Sequence, residues 1–173
     1  ITLHKKIPMG AGLGGGSSNA ATTLLGLNVL WQLNWTSQQL SQLGIHLGAD
    51  VPIFIFGRSA WAEGIGEQLF ALDLPENAYL VLRPDCKIST REIFCHPALT
   101  RDSTPIKVAA SEAQDGRNDC ESVVTAQYPA VDNALSWLRQ YGKGKLTGTG
   151  SCVFLECKSL EQAKKLLIDC PFN

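Results

Sequence analysis

The sequence predicts an α+β fold in two lobes, and three observations predict it. Short strand patterns are interleaved with amphipathic helical patterns, with no long internal repeat. A glycine-rich stretch, GAGLGGG at residues 10–16, opens directly into a helical pattern. The polar, turn-rich DLPEN at residues 73–77 is the best boundary, dividing residues 1–77 from a second lobe at residues 78–173.

The elements follow in order. Residues 1–7, ITLHKKI, alternate as a strand, with Lys5 an imperfect member of the inner face, and Pro8 ends it. After the glycines, Ser17 or Ser18 is a natural N-cap. Ala20, Ala21, Leu24, Leu25, Leu27 and Trp31 then fall on one broad helical face. Thr36 and Ser37 start a second helix with Leu40, Leu43 and Leu47 inside. LGADVPIFIFG leads through Asp50 and Pro52 into an apolar strand at residues 53–56, and short strands flank Gly64 and Gly66. AYLVLRP at residues 78–84 opens the second lobe. Residues 100–118 read as surface loop with one short helix. Residues 130–141 form a helix after Pro129, KLTGTGSCVFLEC reads as strand, glycine turn, strand, and residues 159–169 form a helix opened by a Ser159–Gln162 capping box.

Composition narrows the function classes. Apolar residues are 45% of the 173, enough for a real core. Lys+Arg number 15 against Asp+Glu 16, a net charge of −1, which gives no nucleic-acid or membrane-surface signal. No apolar run reaches the roughly 18 residues of a membrane span, and no signal-peptide pattern opens the chain. The six cysteines lack C-x-x-C spacing and read as reduced thiols, in a bacterial cytoplasm or a plastid stroma. Cys95-His96 is half a metal pattern that nothing nearby completes. No metal ligand set is expected.

The glycines carry the chemistry. Five of the seven residues at 10–16 are glycine. At roughly 0.5–1 kcal/mol each relative to alanine, they would remove a large part of the roughly 5–15 kcal/mol that holds a domain together. A plain turn needs one or two. Glycines before a helix let backbone amides approach an anion with no side chain in the way, beside the positive end of the helix dipole. Ser17 and Ser18 add hydroxyls. The G-x-x-x-x-G-K-[ST] phosphate loop is excluded, since Gly16 follows Gly15. The dinucleotide pattern is literally present at Gly10, Gly12 and Gly15. It lacks its acidic partner about 20 residues on, because no Asp or Glu precedes Asp50.

A third pattern fits. Pro8-x-x-x-Gly12-Leu13-Gly14, two serines and Asn19-Ala20-Ala21 resemble the P-x-x-x-G-L-G-S-S-A-A signature of the GHMP kinases. Gly15-Gly16 and Asn19 are additions, and these match one branch of that family. LGADVPIFIFG, AEGIGE, NDCE and LTGTGSCVF resemble further segments of the same branch in the same order, so the likeness runs through nearly all 173 residues.

The resemblance implies an N-terminal lobe of the ribosomal-S5-domain-2-like type, here partial, and a ferredoxin-like C-terminal lobe. It implies transfer of the γ-phosphate of ATP, with Mg2+, to a hydroxyl of a small-molecule substrate, cytidine diphosphate methylerythritol, in the non-mevalonate route to isoprenoid precursors. ATP is then held by Gly10, Ala11, Gly12, Leu13, Gly14, Gly15, Gly16, Ser17 and Ser18. Asp50 matches the family's catalytic base; taken alone, it also fits a residue that only caps the turn before Pro52. Phe94, in TREIF, takes the role of stacking on cytosine, with Thr90 a polar contact. GTGSC at residues 148–152 matches a turn packed near the phosphate loop, with Thr147, Thr149 and Ser151 as weaker contacts. Lys5 or Lys6 approaches ATP, or both are solvated strand charges. The family also uses an upstream P-A-K-L-N lysine and a G-Y-H tyrosine and histidine, and ends in a further strand. None is found in this sequence, which therefore reads as a fragment with weak or no activity by itself. A nucleotide-binding piece without turnover, and a family member with another acceptor, are the competing readings.

Overall fold

The computed structural model describes residues 1–103 and 116–172. Within it the chain forms two compact units. One comprises Gly14–Leu74; the other comprises Ile1–Leu13 with Pro75–Asn173. Part of the loop expected at residues 100–118 lies outside the described residues. Helix and sheet are mixed as an α+β chain.

In the Gly14–Leu74 unit, Gly14 is left-handed (φ 63°) and the chain is helical from Gly15, giving α1 (Gly15–Leu30). The cap is thus Gly14, and Ser17 and Ser18 lie inside the first turn, contrary to the expectation that one of them caps. Two further glycines carry the helix upstream of the serines, and no side chain caps it. The buried stripe is also narrower than expected. Ala21 is buried with Ala20 and Leu24 beside it, whereas Leu25, Val29, Leu30 and Trp31 are exposed. The turn after α1 is latched by Asn28, whose side chain donates to the Trp35 carbonyl and accepts from the Trp35 amide, both at 3.0 Å.

A full capping box starts α2 (Ser37–Gly44): Thr36 Oγ1 accepts from the Gln39 amide, and Gln39 Oε1 accepts from the Thr36 amide. Leu40 is buried, but Leu43 and Leu47 are 41% and 61% exposed. Gly44, four residues from Leu40, shares its face, and the helix ends before Leu47. A methyl on Gly44 would meet Val51 at 2.8 Å, so glycine lets the next helix close in.

That next element is α3 (Val51–Phe56), where the sequence predicted a strand. Pro52 sits in the first turn, where proline fits a helix, and Gly57 closes it in the left-handed conformation (φ 74°). A four-residue apolar run has no periodicity of its own to separate strand from helix. Val51 and Ile55, one turn apart, join Ala21 and Leu40 in the core of this unit. β1 (Ala60–Glu63) and β2 (Gln68–Ala71) pair antiparallel, as expected around Gly64 and Gly66. Between them the Glu67 carboxylate accepts from the Ile65 amide at 2.7 Å. Its own amide and that of Ile65 hold its carboxyl below the usual range.

In the other unit, residues 1–7 form no strand, and Ile1 is 97% exposed. Alternation alone does not make a strand, because a strand needs a partner ladder, and none of the described strands pairs with it. β3 (Ala78–Leu82) is followed by α4 (Thr90–Cys95), α5 (Glu121–Gln127), α6 (Pro129–Arg139), β4 (Lys145–Leu146), β5 (Val153–Cys157) and α7 (Leu160–Ile168). The sheet order is β3-β5-β4, antiparallel throughout, with Leu80 opposite Leu155 and both Leu82 and Leu146 opposite Val153. These residues share one face and pack with Ile93, Val124, Val131, Leu135, Leu138 and Leu166. On the other face Tyr79 meets Phe154 edge to face at 6.0 Å.

Ser159 caps α7 by accepting from the Gln162 amide at 3.2 Å, while Gln162 Oε1 accepts from the Lys158 amide at 2.7 Å. The reciprocal arm thus lands one residue before the cap. All six cysteines are free thiols, as the spacing implied.

Leu135 is fully buried at the centre of the sheet unit. We expect Leu135→Ala to lower stability by about 2–5 kcal/mol, measured by urea unfolding followed by circular dichroism.

Candidate functional site

Gly10, Gly12 and Gly14 all have positive φ, of 66°, 72° and 63°. Side chains rarely adopt that conformation. Alternate residues of the loop are therefore turned by glycine, and the chain then enters α1 at Gly15. The first amides of a helix have no partner within it, so those of Gly16 and Ser17 stand at the positive end of the α1 dipole.

The front of the loop is held within the sheet unit. Ala11 is buried, and its carbonyl accepts twice, from Thr147 Oγ1 at 3.1 Å and from the Cys152 amide at 3.2 Å. Gly12 lies so close to Thr147 that any Cβ there would overlap the Thr147 carbonyl. Gly148 (φ 49°) faces Gly12 from the other side of the same contact, within 3.7 Å of its Cα for an added Cβ. The GTGSC turn thus packs on the loop.

The back of the loop belongs to the helical unit. An added Cβ on Gly14 would come within 2.7 Å of the Phe54 ring of α3. Gly48 is also near α1, since a methyl on it would sit 3.7 Å from Ser17 Oγ, an ordinary contact. Two residues on, Asp50 is the N-cap of α3, exposed, and its side chain makes no capping hydrogen bond. The turn that carries Asp50 therefore lies against the first turn of α1.

A methyl at Gly10 or Gly16 would meet nothing within 4 Å. Gly16 is helical and nothing in the fold requires glycine there.

The turn hydroxyls are already engaged. Thr147 serves Ala11, Thr149 shares a hydrogen bond with Thr90 at 3.0 Å, and Ser151, 1% exposed, donates to the Pro84 carbonyl at 3.2 Å. Burial pushes the Cys152 thiol up, partly offset by Arg83. Burial likewise raises Cys86, against a hydrogen bond from Ser151. Both are neutral thiols at pH 7 and poor nucleophiles. Phe94, on α4, is 55% exposed. Lys5 and Lys6 are exposed. Among the described residues no group of three or more His, Cys, Asp or Glu side chains could hold a metal, and no helix is long and apolar enough to cross a membrane.

Two side chains given no role from the sequence support the turn. Asn118 donates to the carbonyls of Leu146 (3.1 Å) and Gly148 (2.7 Å), and accepts from the Cys120 amide (3.0 Å). Glu121 accepts from the Leu146 amide at 3.3 Å and pairs with Arg139. The NDCE run that contains them resembled a family segment, but its spacing gave no hint of partners 18–30 residues away.

The GHMP kinases N terminal domain matches residues 1–58 and the GHMP kinases C terminal domain matches residues 96–167. A 4-diphosphocytidyl-2-C-methyl-D-erythritol kinase of Nitrosococcus oceani is 51% identical over 171 residues, 99% of this chain and 61% of that protein. The kinase of the same description from Pseudomonas syringae pv. tomato is 54% identical over 166 residues, 96% of this chain and 59% of that one. A crystal structure of 4-(cytidine 5'-diphospho)-2C-methyl-D-erythritol kinase superposes with a TM-score of 0.76 at 30% identity, covering 96% of this chain and 65% of that one. The chain thus spans about three fifths of the length of the two curated relatives.

The loop glycines separate into two kinds. Gly12→Ala should cost about 1–3 kcal/mol, from strain at positive φ and overlap with Thr147. Gly16→Ala should leave stability unchanged or raise it by up to about 1 kcal/mol, since alanine favours a helix. Urea midpoints of the two variants check this, and equal losses would contradict it.

Proposed function

Because the chain belongs to the GHMP kinase family, we propose that it is the loop-bearing part of an ATP-dependent kinase whose acceptor is cytidine diphosphate methylerythritol. On this reading residues 1–77 contribute to the first lobe and residues 78–173 to the second, and the protein works in the cytoplasm. The observation that carries the reading is the row of left-handed glycines, Gly10, Gly12 and Gly14, delivered straight into α1. Open space over Gly10 and Gly16 supports it, because a polyphosphate there would meet backbone and no side chain.

ATP, carried with Mg2+, supplies the phosphoryl group, and the rest is positioning and charge. Amides of residues 10–17 hold phosphate oxygens, the Ser18 amide being bonded to the Gly14 carbonyl, and the hydroxyls of Ser17 and Ser18 stand in the first turn of the helix to add contacts. Asp50 is the base. Its carboxylate can orient the acceptor hydroxyl and take up the proton that leaves as the phosphoryl group transfers. The lack of a capping bond to its side chain favours this role over that of a simple cap. Phe94 offers an exposed ring for a pyrimidine to stack on. The Thr90 hydroxyl, already paired with Thr149, would contact substrate only as part of that pair.

A coupled assay of the intact protein with ATP, magnesium and cytidine diphosphate methylerythritol tests the reading. We expect Asp50→Asn to lower kcat by about 10²–10⁴ with the fold retained. Near-normal turnover would remove Asp50 from the mechanism. Equal turnover of plain polyols would point to another acceptor.

A further inference from the structure

Resting on the reading of residues 10–18 as the ATP loop, we propose that Asn118 is a positioning residue for the donor nucleotide, acting through the turn that grips the loop. Both donors of its amide are spent on that turn, one on the Leu146 carbonyl and one on the Gly148 carbonyl, while its oxygen caps the Cys120 amide. Gly148, held in this way, is near enough to Gly12 that an added Cβ on it would sit 3.7 Å from the Gly12 Cα, and its neighbour Thr147 leaves no room for a Cβ on Gly12. Thr147, between the two held carbonyls, donates to Ala11. One side chain therefore sets the position of the whole contact, and every link lies within the same compact unit.

The chemistry selects asparagine. Two donors and one acceptor on a short stem are required. Aspartate keeps the acceptor but sets a carboxylate oxygen against two carbonyls. Serine has one donor, lysine has no acceptor, and glutamine is a methylene too long. Glu121 completes the brace by accepting from the Leu146 amide, so Leu146 is tied at both its N–H and its C=O. A shift of the turn moves Ala11 and Gly12, and with them the direction of the loop amides.

The test is steady-state kinetics of the intact protein together with a direct titration of MgADP. For Asn118→Asp we expect the KM for ATP and the Kd for MgADP to rise about fivefold or more. The KM for the acceptor should stay within about twofold and the Tm within about 5 °C. Asn118→Ala, which removes the bonds without adding repulsion, should give a smaller rise of the same kind. A merely structural role would reduce the active fraction, lowering kcat with both KM values unchanged. That result, or an unmoved ATP KM, overturns the proposal. If Asn118→Asp does not fold, Thr147→Val decides. It removes the hydroxyl donor to Ala11 and keeps the shape, so an unchanged ATP KM there also overturns it. Wild-type protein that binds no MgADP would remove the kinase reading and this proposal together. Wild-type binding with an unmoved Asn118→Asp would remove the positioning role alone.

Discussion

The carbonyl of Ala11 is the constraint on which the front of the site depends. It is buried and accepts from two donors, a hydroxyl and an amide, both on the β4–β5 turn. Each bond contributes about 0.5–1.5 kcal/mol net, and leaving a buried acceptor unpaired costs about 1–3 kcal/mol. A loop with this much glycine has little side-chain packing to hold it, so backbone bonding must define its course. The turn that does so is itself tied down by Asn118 and Glu121. Local sequence therefore builds the loop, and distant sequence holds it.

The glycines also show a division between fold and function. Gly12 and Gly14 are needed structurally, for positive φ and for close approach to Thr147 and Phe54. Gly44 lets α2 and α3 meet. Gly16 has neither reason: it is helical and a side chain would extend into open space. A residue that weakens a helix without helping the packing fits a surface shaped for something outside the chain.

Most helices and the paired strands were legible because their periodicity spans enough residues to be unambiguous. β3 and β5 alternate over five residues each, and α6 shows a buried stripe at Val131, Ala134, Leu135 and Leu138. The failures are short or unpartnered segments. Residues 53–56 are too few and too uniformly apolar to show a period, and neighbouring Pro52 and Gly57 decided for helix. Residues 1–7 alternate but have no ladder among the described strands. In α2, Leu43 and Leu47 matched a helical spacing in a helix that stops at Gly44. The loop was legible from glycine density alone, but the point where it gives way to α1 was not, because Gly15 and Gly16 are helical despite their low propensity. The brace from Asn118 was not legible at all, since hydrogen bonds across 28 and 30 residues leave no local pattern.

The central claim is that backbone amides of the glycine loop bind a polyphosphate directly. Amide NMR of 15N-labelled intact protein during titration with MgADP tests it. The largest shifts should fall on Gly10, Gly12, Gly14, Gly15 and Gly16, and the Cys152 amide should keep its slow hydrogen exchange through its bond to Ala11. Saturating MgADP with those five resonances unmoved, and the shifts elsewhere, would contradict the claim.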